Sequence, residues 1–327
     1  MPTSTVVTLM RQFKSDIARA GSAQQAEMAR RWLGVERRLM GQMEALAYRM
    51  AAVREAGGTV TANMLLNDVR YRELLSQLHA EQVKYTQYAE STISDGQRAM
   101  ASAGVNQSQA AIAAQVSTSF NRLPVSAVQH MVGLTGAGTP LNSLLVQSWP
   151  LSAQGLTQAL VDGVALGWGP RKTASKMAEG MTGSFDRMLT IARTEQLRVY
   201  RTATMDQYKA SGIVTSWVRY SARDRRVCAG CLAADGDEYD LATDFQAHPQ
   251  CRCVLLPKIS GVPLVFQRGS EWFAEQDSDV QESILGPGRY ELYRTNQVEF
   301  SQFATLRTNA VWGDAIVPTP LRDLTGS

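Results

Sequence analysis

Apolar residues recur at steps of three and four through the N-terminal third of the chain, which predicts long amphipathic helices. The first stripe consists of Met28, Trp32, Val35, Leu39, Met43, Leu46, Met50 and Val53. Gly57-Gly58 interrupts it, and a second stripe runs from Leu65 to Ile93, where Asp95-Gly96 predicts its end. Two such helices joined by a short turn predict an antiparallel hairpin. The hairpin is either an ordinary helical bundle or a projecting arm that docks on another protein.

The pattern weakens after residue 100. Residues 101–123 are rich in Ala, Ser and Gln and low in charge, so they fit a weak helix or a linker equally well. Residues 133–143 contain three glycines and Pro140, which is typical of a loop. We therefore expect a flexible connection over residues 133–150.

A different pattern begins at Leu151. Residues 151–168, 170–181 and 184–211 predict three helices, the second starting at Pro170 and ending near Gly180. Gly212 ends the third, and the alternating segment 213–220 predicts a strand with Trp217 in the core. An acidic segment with short strands follows.

These elements predict an α+β protein, in which N-terminal helices precede a mixed domain. The expected domains are a helical arm (1–132), a flexible connection (133–150), the mixed domain (151–260) and a helical or irregular extension (261–327).

Composition and charge narrow the class of protein. The 327 residues are 44% hydrophobic and 19% charged, which suffices for a core and excludes wholesale disorder. No stretch of about 18 apolar residues predicts a membrane span. The start of the chain lacks the pattern of a secretory signal, so we expect folding in a reducing cytoplasm.

The charges are distributed unevenly along the chain. Residues 171–226 carry 12 Lys and Arg against five Asp and Glu, whereas 227–327 carry seven against 14. This asymmetry fits two docking lobes or a basic face for nucleic acid.

All four cysteines lie within 26 residues, and one of the three histidines lies among them. The set consists of Cys228, Cys231, His248, Cys251 and Cys253. A Cys-x-x-Cys pair followed by further soft ligands is the spacing of a tetrahedral Zn²⁺ site, which can replace a hydrophobic core in a loop-rich segment. Five candidates compete for four places, with Cys228 and Cys231 the surest. The alternatives are two disulfides, free thiols, or a metal- or thiol-dependent enzyme such as a nuclease, hydrolase or toxin.

The ordered series of motifs resembles one known family, the Mu F-like head morphogenesis proteins of tailed phages. The residues that carry the resemblance are Ala192-Arg193-Thr194-Glu195, Gly212, Trp217, Asp224-x-Arg226-x-Cys228-x-x-Cys231, Asp235-Gly236 and His248-Pro249-x-Cys251-Arg252-Cys253. The resemblance covers roughly residues 151–258. The segment 271–294 is also similar to what often follows this domain.

The resemblance implies a structural minor capsid protein and no enzyme. It implies a location in the virion, at the capsid interior or portal vertex, after assembly in the host cytoplasm. Expected partners are the portal or major capsid protein, with oligomerisation imposed by capsid assembly. Expected roles are head assembly, DNA packaging or DNA ejection.

Two contacts are predicted for the motif residues. Glu195 is expected to hold a basic group of the cysteine segment, such as Arg226 or Arg252. A basic run is expected to meet DNA without base specificity, or an acidic portal surface, because little aromatic character accompanies it. The run consists of Arg219, Arg223, Arg225 and Arg226.

Overall fold

The computed structural model describes residues 3–325 and is mainly helical. Its α-helices are α1 (Thr5–Glu55), α2 (Ala62–Leu66), α3 (Val69–Ala113), α4 (Leu141–Val146), α5 (Pro150–Ala165), α6 (Pro170–Ser211), α7 (Ala229–Ala233), α8 (Gly269–Ala274), α9 (Ser278–Leu285), α10 (Pro287–Arg294) and α11 (Leu321–Thr325). Its strands are β1 (Val214–Tyr220), β2 (Glu238–Asp240), β3 (Val254–Ile259), β4 (Ala304–Asn309) and β5 (Gly313–Pro318). Two 3₁₀ segments span Val125–Met131 and Phe300–Phe303. The predicted α+β class is confirmed. Among residues 3–325, no helix combines the length and hydropathy that crossing a bilayer requires.

The N-terminal helices are longer than their apolar stripes predict. Helix α1 begins at Thr5, and α3 continues through Asp95-Gly96 as far as Ala113. A glycine inside a helix costs about 1 kcal/mol relative to alanine. Met100, Ala101 and other apolar residues beyond Gly96 are buried. Burial of one large apolar side chain contributes about 1.5–3 kcal/mol, which outweighs the cost of the glycine. The predicted end at residue 96 is therefore wrong.

Helix α6 joins two segments that the sequence separates. The predicted helices 170–181 and 184–211 form one helix of 42 residues, and Gly180 lies inside it. A Cβ atom at Gly155 of α5 would lie 2.1 Å from the carbonyl oxygen of Gly180. The two glycines therefore permit close packing of α5 on α6, and Gly180 has a packing role rather than a terminating one.

The larger sheet has three antiparallel strands in the order β2-β1-β3. Trp217 in the central strand lies opposite Tyr239 of β2 and Pro257 of β3. Its indole is fully buried and stacks on the rings of Tyr239 and Phe245, at centroid distances of 4.4 and 5.3 Å. The core position predicted for Trp217 is confirmed. Strands β4 and β5 form a separate antiparallel hairpin.

Contacts divide the chain into two compact units that are discontinuous in sequence. The sheet unit comprises residues up to Gly21, Asp95–Gly138 and Arg193 onwards, and the helical unit comprises Ser22–Ser94 and Thr139–Ala192. The domain limits at 132, 150 and 260 stay a prediction.

The core of the sheet unit contains the start of α1. Val6, Val7 and Met10 are buried in one cluster with Tyr220 of β1 and Leu256 of β3. The backbone amide of Ser4 also donates to the carbonyl of Val265, at 2.9 Å. The first turns of the chain are therefore part of the core that supports the β1–β3 pair.

The helical unit has its own aromatic core. Trp32 packs against Tyr85, Trp149 and Phe185, with ring centroids 5.3–5.7 Å apart. The indole of Trp149 donates to the hydroxyl of Thr86 at 2.7 Å. This unit thus buries large aromatic rings, and the indole nitrogen of Trp149 has a hydrogen-bond partner.

Candidate metal centre

Three short segments of the sheet unit carry the Cys/His cluster, defined as Cys228, Cys231, His248, Cys251 and Cys253. Cys228 caps the N-terminus of α7, and Cys231 lies within that helix. Cys253 directly precedes β3. The Cys-x-x-Cys spacing therefore places two sulfurs on one helical turn, and the sheet anchors a third ligand.

A tight turn brings His248 and Cys251 together. The amide of Cys251 donates to the carbonyl of His248 at 3.0 Å. Gln250 has a φ of 61° in this turn, and its amide donates to the Thr194 hydroxyl on α6 at 3.0 Å. The threonine of the helix motif thus fixes the turn that positions two of the candidate ligands.

The cluster forms two overlapping groups of ligand atoms. In one group Cys228, Cys231 and His248 lie within 4.8 Å of one another, and in the other Cys231, Cys251 and Cys253 do. The Sγ atom of Cys231 lies 3.1 Å from Nε2 of His248 and 3.8 Å from Sγ of Cys251. Cys231 belongs to both groups and is therefore central to the cluster.

The imidazole of His248 is oriented by its second nitrogen. Nδ1 lies 2.8 Å from the carbonyl oxygen of Pro249, which can only accept a hydrogen bond. Burial lowers the pKa of the imidazole, but hydrogen bonds to Cys228 and Cys251 outweigh it and raise that pKa to about 10. In its neutral form, which metal binding requires, the ring carries its proton on Nδ1 and turns the lone pair of Nε2 towards Cys231. This is the arrangement in which a histidine ligates a metal, with the other nitrogen donating to an oxygen.

The sulfur atoms change one another's acidity. Hydrogen bonding from Cys231 lowers the pKa of Cys228 to about 4, against the burial that raises it. Hydrogen bonding from Cys231 and Cys253 likewise holds the pKa of Cys251 well below the usual range. Hydrogen bonding from Cys228 raises the pKa of Cys231 well above the usual range. Thiolates, the form of cysteine that binds metals, are therefore favoured at Cys228 and Cys251.

The geometry fits a tetrahedral ion. Two sulfurs at Zn–S distances of about 2.3 Å and the tetrahedral angle are about 3.8 Å apart, which is the separation of Cys231 and Cys251. All four cysteines are free thiols rather than disulfides. Cys231, Cys251 and Cys253 are buried, and the cavity beside the cluster has a volume of only about 40 Å³.

Two arginines lie buried beside the cluster. The sequence predicts no role for Arg201 and places Arg219 in the basic run that is expected to meet DNA or a portal surface. Arg201 of α6 donates from Nε to the carbonyl of Cys253 at 3.0 Å and from Nη2 to the carbonyl of Cys251. Arg219 of β1 is 0% exposed, and its Nε and Nη1 have no hydrogen-bond partner among residues 3–325. Both guanidinium groups lie over the ring of Phe245, at 4.8 and 4.2 Å from its centroid. An alternating strand and a basic helix face give no signal that these two charges point inwards.

Ion pairs fix the loop between β1 and α7. Asp235 is buried and accepts hydrogen bonds from Arg223 Nε at 2.6 Å and from the Ser221 hydroxyl at 2.7 Å. Asp224 accepts two hydrogen bonds from Arg252, at 2.5 and 2.8 Å.

Glu195 has a different partner from the predicted one. Its carboxylate accepts from Arg198 Nε at 2.7 Å, one turn along α6, while Arg252 is paired with Asp224. The expectation that Glu195 holds Arg226 or Arg252 is wrong, because the (i, i+3) position on the same helix supplies a nearer cation.

The four arginines of the basic run lie in different environments. Arg219 is buried beside the cluster, and the side chain of Arg223 is 6% exposed in its ion pair with Asp235. These two side chains cannot meet a partner at the surface without leaving those positions, whereas Arg225 and Arg226 are exposed. The contact of the run with DNA or a portal surface stays a prediction.

Residues 154–256 match the family described as Phage Mu protein F like protein. The match begins in α5, ends in β3 and includes the whole Cys/His cluster. The predicted resemblance is confirmed, and the chain carries a domain of the Mu F-like phage head morphogenesis family. No curated protein and no solved structure matches the chain.

Proposed function

We propose that the protein is a structural minor head protein of a tailed phage. The observation that carries this proposal is the family match over residues 154–256, which ends on a buried Cys/His cluster without a substrate-sized opening. In this role the protein associates with the portal or major capsid protein at the capsid interior or portal vertex. It acts in head assembly, DNA packaging or DNA ejection.

Particle content tests the role. Mass spectrometry of purified heads should find the chain in every preparation, at far fewer copies than the major capsid protein. Deleting its gene should lower the yield of infectious particles and leave the expression of the major capsid protein unchanged. Its absence from purified heads would contradict the proposal.

We further propose that the Cys/His cluster holds a structural Zn²⁺ ion. The residues that would supply its four ligands are Cys231, placed centrally, and three of Cys228, His248, Cys251 and Cys253. When bound, the ion would tie α7, the His248–Cys251 turn and the start of β3 together without redox chemistry. X-ray absorption would separate four sulfur ligands from three sulfurs and one nitrogen.

Elemental analysis and thermal melting test the zinc site. Protein purified in reducing buffer should contain about one zinc per chain, and a chelator should lower the melting temperature by 10 °C or more, because binding free energy is folding free energy at such sites. Four titratable thiols, no metal and an unchanged melt would contradict it. The matched control is a chelator already saturated with zinc.

A metal- or thiol-dependent enzyme is the alternative function. A cavity of about 40 Å³ holds a few water molecules, and a catalytic zinc requires an open coordination position that a substrate reaches. The geometry therefore favours a structural ion. Cys228→Ser should lower both the melting temperature and the incorporation of the protein into heads. Loss of an enzymatic activity at an unchanged melting temperature would instead support the alternative of an enzyme.

We also propose that Arg225 and Arg226 contact DNA through its phosphates. Both are exposed in the loop that follows β1, and residues 221–228 contain no aromatic side chain that would stack on bases. Affinity for a duplex should therefore ignore sequence and fall steeply between 50 and 200 mM salt. Arg225→Gln should reduce the salt slope by about one, and Arg294→Gln, an exposed arginine on α10, should leave it unchanged. Salt-insensitive binding would contradict this contact.

A further inference from the structure

We propose that a cavity in the sheet unit, separate from the Cys/His cluster, is a binding pocket for the phosphate group of a nucleotide. The cavity has a volume of about 280 Å³. Its charged lining comes from three places in the chain: α1, the middle of α6, and the loops that flank α7. The charged residues are Arg11, Lys14, Arg193, Asp224, Arg226 and Arg252.

The charge of this pocket is unbalanced. Asp224 is the only acid in the lining, and it is occupied by its two hydrogen bonds with Arg252. The other four cations form no ion pair with a carboxylate anywhere in residues 3–325. Five positive charges therefore face one cavity that has a single carboxylate in its lining, and four of them have no ion-pair partner in the described part of the chain.

The contacts that hold these cations are with neutral groups. Arg11 donates from Nε to the hydroxyl of Tyr220 at 2.6 Å. Lys14 donates to the carbonyl of Ser221 at 2.6 Å and lies 4.7 Å from the centroid of the Tyr220 ring. These contacts position the two side chains of α1 at the cavity and leave their charge uncompensated.

Burial makes this concentration of charge costly. Desolvation lowers the pKa of Lys14 to about 8. Desolvation, followed by repulsion from Arg252 and Arg226, also lowers the pKa of Arg193. An anion in the cavity would offset both effects, because it would replace lost water and neutralise the repulsion.

The shape and lining indicate which anion fits. Planar guanidinium groups match the oxygens of phosphate in paired hydrogen bonds, and a phosphate monoester carries nearly two negative charges at neutral pH, more than a carboxylate. Apolar side chains that include Ile17, Met100 and Leu197 line the rest of the cavity. They would contact an organic part such as a sugar or base.

The phosphate can come from a free nucleotide or from the end of a DNA strand. The second source rests on the proposed function, whereas the chemistry of the pocket does not. The experiment therefore uses two probes, thymidine 5′-monophosphate and a 5′-phosphorylated oligo-dT, each titrated calorimetrically into the full chain at low ionic strength.

Arg193→Gln and Arg226→Gln should each weaken binding of the effective probe by about 10-fold or more, since each removes a charge-assisted contact. The matched control is Arg19→Gln, which removes one charge from an exposed position on α1 outside the cavity. It should change affinity less than twofold. Because Arg226 is exposed, its variant should also keep the wild-type melting temperature.

The expected pattern is weaker binding in Arg193→Gln and Arg226→Gln and unchanged binding in Arg19→Gln. If thymidine 5′-monophosphate binds with this pattern, the cavity is a nucleotide pocket. If only the oligonucleotide binds with this pattern, the phosphate comes from the end of a DNA strand. The proposal is overturned if neither probe binds at millimolar concentration. It is also overturned if Arg19→Gln weakens binding as much as Arg193→Gln and Arg226→Gln do. Neither result would affect the particle-content test of the proposed function.

Discussion

Arg201 and Arg219 are permanently charged side chains buried beside the Cys/His cluster. Arginine does not deprotonate in proteins, and in residues 3–325 neither of them pairs with a carboxylate. Burial acts to lower the pKa of Arg219, but Coulomb interactions with Cys253, Cys251 and Cys231 outweigh it and leave the pKa raised. A zinc ion with four thiolates carries a net charge of about −2, and one with three thiolates and an imidazole about −1. The two arginines therefore suit a thiolate-rich metal site.

Removing the positive charge of Arg219 should lower the zinc affinity of the Cys/His cluster. Arg219→Met keeps the length of the side chain and removes its charge, so we expect zinc affinity to fall by about 10–100-fold, the range for residues that support metal ligands. Competition with a chromophoric chelator at fixed pH measures the change. Arg225→Met, the same substitution at an exposed position in the loop that follows β1, is the control. Equal affinities in all three proteins would show that Arg219 does not compensate the thiolates.

At the scale of elements, glycine permits two close helix contacts. Gly155 on α5 meets Gly180 on α6 in the helical unit, and a Cβ at Gly104 of α3 would lie 2.5 Å from the carbonyl oxygen of Tyr200 in the sheet unit. Neither distance can accommodate a methyl group without moving a backbone. These positions fix how near the helix axes lie, whereas a Cβ added at Gly183 of α6 would meet nothing within 4 Å.

Gly155→Ala should destabilise the protein by about 1–3 kcal/mol, the usual cost of overpacking. Gly183→Ala is a matched control in α6, because an added Cβ there meets nothing within 4 Å and the φ angle is ordinary. It should be neutral or stabilise by up to about 1 kcal/mol, since alanine favours helix. Urea unfolding measures both. A stable Gly155→Ala variant would mean that α5 can move away from α6 at little cost.

At the scale of the whole molecule, the two compact units are stabilised in different ways. The helical unit buries stacked aromatic rings, and the sheet unit combines an apolar core with the Cys/His cluster and with ion pairs around the α7 loop. Both units are discontinuous in sequence. A metal bound at the cluster would therefore stabilise segments that lie near it in space rather than in sequence.

Hydrogen exchange tests this division. Chelation should increase amide exchange over residues 214–259, where the strands adjoin the cluster, by more than it does over residues 70–90 of the helical unit, which hold none of the candidate ligands. The same chelator saturated with zinc is the control. An equal increase in both ranges would show that the units unfold as one cooperative body.

Four features could be predicted from the sequence: the class of the fold, the amphipathic helices, the central strand with Trp217 and the family of the domain that carries the Cys/His cluster. These features depend on local periodicity and on short motifs, which involve residues that are close together in sequence. Helix ends at Gly96 and Gly180 were wrong because burial by distant segments decides whether a glycine ends a helix.

The direction and the partners of the charged side chains, in contrast, depend on the tertiary structure. Arg201 and Arg219 point inwards, and Arg223 pairs with Asp235. Lys14 of α1 and Arg193 of α6 line the same cavity although they are almost 180 residues apart in sequence. The sequence pattern could not show this, because the direction of a charged side chain depends on which distant groups surround it and on how much water the packed chain leaves.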